Sequence, residues 1–135
     1  ATLTFTVTNT RVISKMDYIR IKRPSGDPFD IIGSTIDCPD NWHRTSGLGD
    51  PEKAVCEPDS TSSPDYRIPP GGSGAVSFDA EVEPVDSCDS YDNTVRSKDG
   101  SPHHYDSDVP LEICPEATTG TIIINKQSVG GDEEF

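Results

Sequence analysis

No apolar run in this chain exceeds three residues, and Ile122-Ile123-Ile124 is as long as any. A membrane-crossing helix needs roughly twenty such residues in a row, so no membrane insertion is expected. The start carries no basic segment followed by an apolar one, and the first residue is Ala1 rather than Met. The expectation is a leader already removed, or an excised piece. Cations are scarce: 11 Lys and Arg stand against 24 Asp and Glu, a formal charge of −13. Phosphate backbones are bound by clustered Lys and Arg, so nucleic acid is not an expected partner. An acid excess of 16 Asp and 8 Glu keeps a chain soluble and also suits life at high salt. No Asn-x-Ser/Thr acceptor occurs, which excludes N-glycosylation by that route. Apolar material is thin, at 31% of residues, which is low for a globular chain. The expectation is a compact β-core with long irregular loops.

What is present begins at once. Leu3, Phe5 and Val7 alternate with Thr2, Thr4, Thr6 and Thr8. A period of two belongs to a strand, whose successive side chains point to opposite faces. Threonine is β-branched, so the polar face favours extended backbone too. A first strand is expected to about Thr10. A second follows at residues 16–22, where Ile19 and Ile21 alternate with Tyr18, Arg20 and Lys22. Residues 11–23 hold Arg11, Lys15, Arg20, Lys22 and Arg23 against Asp17, a net +4 in an acidic chain.

A turn at residues 24–28 leads to a third strand at 29–36. From 37 to 70 periodicity vanishes, and only a short helix around 51–55 is expected, with Pro51 tolerated in a first helical turn. The Pro69-Pro70-Gly71-Gly72-Ser73-Gly74 turn opens the clearest half-exposed strand, where Val76, Phe78, Ala80 and Val82 alternate with Ser77, Asp79, Glu81 and Glu83. Residues 86–116 read as a second irregular region of net −6, with a short strand at 109–113. A last strand is expected at 119–126. The fold class is therefore all-β: an antiparallel sandwich with two long disulfide-stapled loop regions. One domain spans 1–129, with 1–10 a candidate exchanged strand and 130–135 an acidic tail.

Cys38, Cys56, Cys88 and Cys114 are even in number, widely spaced and free of any C-x-x-C. That fits two structural disulfides in an oxidising, extracellular setting. Three connectivities are open; sequential pairing staples each irregular region separately. A metal role for the thiols is the weaker alternative.

The opening Leu3-Thr4-Phe5-Thr6-Val7-Thr8-Asn9-Thr10, with Ile19 and Ile21 after it, resembles the first two strands of immunoglobulin-like domains in secreted archaeal and bacterial proteins. The stretch from Ile68 through Pro69, Pro70, Gly71, Gly72 and Ser73 to Val76 and Phe78 is similar to their entry into a middle strand. Cell-adhesion-related domains and surface proteins share this style. The resemblance covers about forty residues, leaves the two cysteine-bearing insertions aside, and implies an extracellular sandwich rather than a reaction.

Candidate chemistry is sparse. Asp86, Asp89 and Asp92 supply hard oxygens suited to calcium, but their order does not match an EF-hand loop, and acidic loops are commonly just solvated. His43, His103 and His104 are the only imidazoles; adjacent histidines point apart in extended backbone, which disfavours chelation. Gly72-Ser73-Gly74 fails the G-x-S-x-G spacing at Ala75. Trp42 fits either a carbohydrate platform or, better, the loop's own packing anchor. Lys15 or Lys22 with Asn125 would suit an intramolecular isopeptide bond. No enzyme is expected. The expected function is that of an extracellular structural subunit. It assembles with copies of itself into a surface filament or layer by donating Leu3, Phe5 and Val7 to a neighbour's sheet. The alternative is an adhesion module that binds a cell-surface glycan or protein through loops anchored by Trp42, Tyr66, Tyr91 and Tyr105.

Overall fold

The computed structural model describes residues 2–100 and 104–115, and the backbone alone of 122–125 and 129–130. The strands are β1 (Thr2–Thr8), β2 (Tyr18–Lys22), β3 (Phe29–Ile31), β4 (Trp42–Arg44) and β5 (Lys53–Pro58). They continue with β6 (Ser73–Val82), β7 (Asp89–Lys98), β8 (His104–Pro115), β9 (Ile122–Asn125) and β10 (Val129–Gly130). A four-stranded sheet runs β10–β1–β6–β3 and a six-stranded sheet β4–β5–β2–β7–β8–β9. All pairs are antiparallel except β1 with β10.

The inner faces of both sheets meet in one core. Leu3, Phe5 and Val7 of β1 pack with Val76, Phe78 and Ala80 of β6. Ile19, Ile21, Val95, Leu111 and Ile113 close the core from the other sheet. Phe78 stacks between Phe5 and Phe29, with ring centroids 5.9 and 6.4 Å away. Full burial of each such side chain stabilises by about 1.5–3 kcal/mol. The all-β, two-layer architecture expected from the alternation is thus present.

Both disulfides pair sequentially, Cys38–Cys56 and Cys88–Cys114. Cys56 lies fully buried on β5. Its partner Cys38 follows Asp37, which bridges to Ser77 on β6, so this bond ties the two sheets together. Cys88 and Cys114 stand one step beyond the Asp89–Ile113 pair of the β7–β8 ladder, and close the open end of that hairpin.

Several expected boundaries give way to tertiary pairing. The helix expected around 51–55 is absent: Lys53–Pro58 is β5, hydrogen-bonded to β2 with Ala54, Val55 and Cys56 all buried. The third strand stops at Ile31, and a 3-10 turn covers Gly33–Thr35. There Gly33 passes so close to the chain that a Cβ would sit 2.2 Å from the Leu48 carbonyl oxygen. The region 37–70 is not one loop, since it contains β4 and β5. Nor is 86–116 irregular: β7 and β8 form a ladder of ten residue pairs. The expected strand at 109–113 is the inner half of β8. Gly130 lies in β10; the remainder of the expected acidic tail falls outside the described residues.

Candidate functional site

β1 is seated by one full ladder. Its seven residues pair with β6 from Thr2–Asp79 to Thr8–Ser73. On its other side only Val7 and Thr8 pair, with Val129 and Gly130. Among the described residues, the outer edge of β1 from Thr2 to Thr6 therefore pairs with no strand. A strand edge of this kind presents backbone N–H and C=O groups ready to accept another strand. Leu3, Phe5 and Val7, expected to be donated, are buried in the chain's own core at 0–1% exposure.

Asn9 ends the strand and fixes the loop after it. Its side chain is 1% exposed. Nδ2 donates to the carbonyls of Ser14 (2.8 Å) and Ile68 (2.9 Å), and Oδ1 accepts from the Arg11 N–H at 3.0 Å. Its backbone pairs with Gly71 and Gly72. The loop it anchors carries Val12 and Ile13 in open solvent, 69% and 87% exposed.

Beside this end of the sandwich lies a groove of about 580 Å³ lined by Asp37, Pro39, Trp42, Asp65, Arg67 and Gly74, among others. Asp65 accepts from Lys15 Nζ at 2.7 Å and from Arg67 Nε and Nη2, each at 2.9 Å. The Arg67 guanidinium, helped by the Lys15 ammonium and the Arg67 backbone N–H, holds the Asp65 carboxyl far below the usual range. Asp17 goes the other way: burial raises it, against a hydrogen bond from the Gly100 N–H.

Trp42 is 7% exposed and its Nε1 donates to the Tyr66 carbonyl at 2.7 Å. It is a packing anchor, as favoured from sequence. Tyr66 and Tyr91 pack partly buried against the core, while Tyr105 lies under the Arg11 guanidinium at 4.4 Å.

The structure does not gather the three aspartates. Asp86 and Asp89 precede and begin β7, and Asp92 faces outward opposite Pro110. Among the described residues one group has metal-ligand geometry, Cys88, Glu112 and Cys114, but its two sulfurs are bonded to each other. His43 binds Asp59 at 2.7 Å, and His103 lies outside the described residues. Ser73 Oγ shares a hydrogen bond with Thr8 Oγ1 at 2.8 Å. Lys15 is engaged by Asp65, and the Asn125 side chain lies outside the described residues, as does any bond to it.

The +4 stretch is dispersed by folding. Lys15 goes to Asp65, Arg23 to Asp27 and Asp30, and Arg11 to the Tyr105 ring. Only Arg20 and Lys22 stay together on the outer sheet face. Sequence reasoning did not find the groove or the edge of β1 that pairs with no described strand, because strand neighbours are set by long-range pairing. Comparison with family models, curated proteins and solved structures finds no match for this chain.

Proposed function

We propose that the chain is a non-enzymatic extracellular structural subunit whose copies join through β1 into a surface filament or layer. The observation that carries this is the seating of β1: one full ladder to β6, three buried side chains and, among the described residues, an outer edge that pairs with no strand from Thr2 to Thr6. A strand held this way can leave its slot and refill the identical slot in a neighbour. The same ladder and the same buried contacts re-form in trans, so the exchange costs little beyond hinge and association terms. The hinge is the segment from Asn9 to Asp17. Two disulfides fit an oxidising compartment, which agrees with a surface location. The immunoglobulin-like affinity rests on the pattern of the opening strands and not on strand order. In that family the first two strands share a sheet; here β1 and β2 lie in different ones.

Thr8 and Ser73 are directly opposite across the β1–β6 ladder, which gives the test. The double variant T8C/S73C is assembled, oxidised mildly and run on a non-reducing gel. Exchange yields a covalent ladder of multimers. A monomer band alone, from material that electron microscopy shows assembled, refutes joining through β1.

A second reading has its own observation, the groove beside Trp42 and Arg67. It would make the chain a recognition module for a cell-surface glycan or protein. An Arg67→Ala variant that loses cell-surface binding while remaining monomeric supports that reading over assembly.

A further inference from the structure

Each outer face of the sandwich places like charges against each other: a cationic patch on β5, β2 and β7 of the six-stranded sheet, flanked on β8 by Asp106, Asp108 and Glu112, and an acidic pair on the four-stranded sheet. On the six-stranded sheet, Lys22 stands directly across from Lys53, and Arg20 across from Arg96. These four cations fill two adjacent rows on β5, β2 and β7. Among the described residues neither lysine side chain has a hydrogen bond or ion pair. Arg96 is held by Asp106 from β8 at 2.8 Å, and Lys98 caps the row by lying over the Tyr18 ring at 4.3 Å.

On the four-stranded sheet, Asp30 stands directly across from Glu81, with Asp79 two residues along the same face of β6. Arg23 reaches Asp30; Glu81 and Asp79 have no cationic partner among the described residues. β1, β3, β6 and β10 contain no Lys or Arg at all.

Like charges directly opposite across a ladder destabilise a sheet. Within one copy Arg23 relieves Asp30 and Asp106 relieves the Arg20–Arg96 row, but Lys22 and Lys53 are left facing each other on one side and Asp79 and Glu81 on the other, with a sandwich core about 10 Å thick between them. Between copies they can. We propose that subunits stack face to back, the Arg20–Lys22–Lys53–Arg96 face of one on the Asp79–Glu81 face of the next. The partner is a second copy, since this chain itself carries the complementary surface. The contact is heterologous, and because the two surfaces lie on opposite sides of the sandwich it repeats as an open stack rather than a closed ring. It supplies a lateral association distinct from the β1 joint, and it rests on the self-assembly reading above.

Charge exchange tests it. K22E/K53E reverses the charge of the lysine row, and D79K/E81K reverses that of the acidic face, so either variant alone sets like charges against like across the contact. Each variant alone should raise the protein concentration for half-assembly into laterally packed material by at least roughly tenfold, since like-charge juxtaposition is strongly penalised. An equimolar mixture should restore packing in an alternating order. Parent packing should also disperse in 1 M salt, where the Debye length is only about 3 Å, while multimers of the T8C/S73C variant persist. Variants that pack as the parent does, or a mixture that stays dispersed, overturn the face contact and leave the β1 joint standing. A parent that remains monomeric at low salt overturns both.

Discussion

Replacing Asn9 asks whether the joint between β1 and the rest of the chain is held by one side chain. Asn9→Ala removes three hydrogen bonds: two donated to the carbonyls of Ser14 and Ile68, and one accepted from the Arg11 N–H. The Ile68 carbonyl keeps a partner, because it also accepts from the Met16 N–H at 2.8 Å. The bonds to Ser14 and Arg11 are only part-buried, so they contribute less. At about 1 kcal/mol net for each bond, the loss comes to about 2–3 kcal/mol. Asn9→Asp keeps the shape but turns both donors into a charged acceptor facing two carbonyl oxygens at 1% exposure. One oxygen keeps the Arg11 N–H, but burying the other against two carbonyl oxygens adds at least about another 1–2 kcal/mol. The order is therefore parent, then Ala, then Asp. Acidification should narrow the Ala–Asp gap, because a protonated carboxyl donates again. Urea unfolding followed by circular dichroism at pH 7 and pH 5 reads the order, provided the slope is shared. An Asp variant as stable as the Ala variant, or both within about 0.5 kcal/mol of the parent, refutes the anchor.

Phe78→Ala breaks the stack that joins β1, β6 and β3 and should cost about 3–5 kcal/mol in the same urea experiment, with Phe78→Leu intermediate. Removing the Cys38–Cys56 bond, which spans 18 residues of sequence, should cost about 3 kcal/mol as C38S/C56S under non-reducing conditions. Asp65 and Asp106 are both depressed, by hydrogen bonds from Arg67 and Arg96 respectively. The stability they contribute is present above the ordinary Asp value near 3.9 and is lost as pH falls through their lower folded values. The urea midpoint should therefore drop with pH below about 4, and less steeply in Asp106→Asn; an equal slope refutes the assignment.

The strands that announced themselves were those whose inner face is wholly apolar. β1 shows Leu3, Phe5 and Val7, and β6 shows Val76, Phe78 and Ala80, so alternation reads directly from the residues. β7 did not, because its inward positions are Asn93, Val95 and Ser97, all 0–3% exposed. Two polar residues in three erase the hydrophobic period although the geometric one persists. β8 was cut short by Pro110, a residue that argues against an interior strand. Among the described residues β9 pairs β8 only from Glu112 to Pro115, so no described strand faces Pro110 on that side of β8. β5 carries Ala54, Val55 and Cys56 all buried in succession, which has no period at all. The charge faces were hidden for another reason: Lys22 and Lys53 become neighbours only when β2 and β5 pair. The +4 count over 11–23 located cations correctly and their grouping incorrectly.

The disulfide that closes the β7–β8 hairpin matters most when the chain is pulled. A load entering at Cys88 passes straight across to Cys114, so the 26-residue separation never bears tension. The Cys38–Cys56 bond does the same for a separation of 18. At about 3.3–3.6 Å per extended residue, the two bonds together withhold about 150 Å of slack. A subunit whose slots yield under force then lengthens less than its sequence allows, and its longest hairpin keeps its shape while the rest of the sandwich gives way. Reduction converts the same molecule into a longer and softer spring.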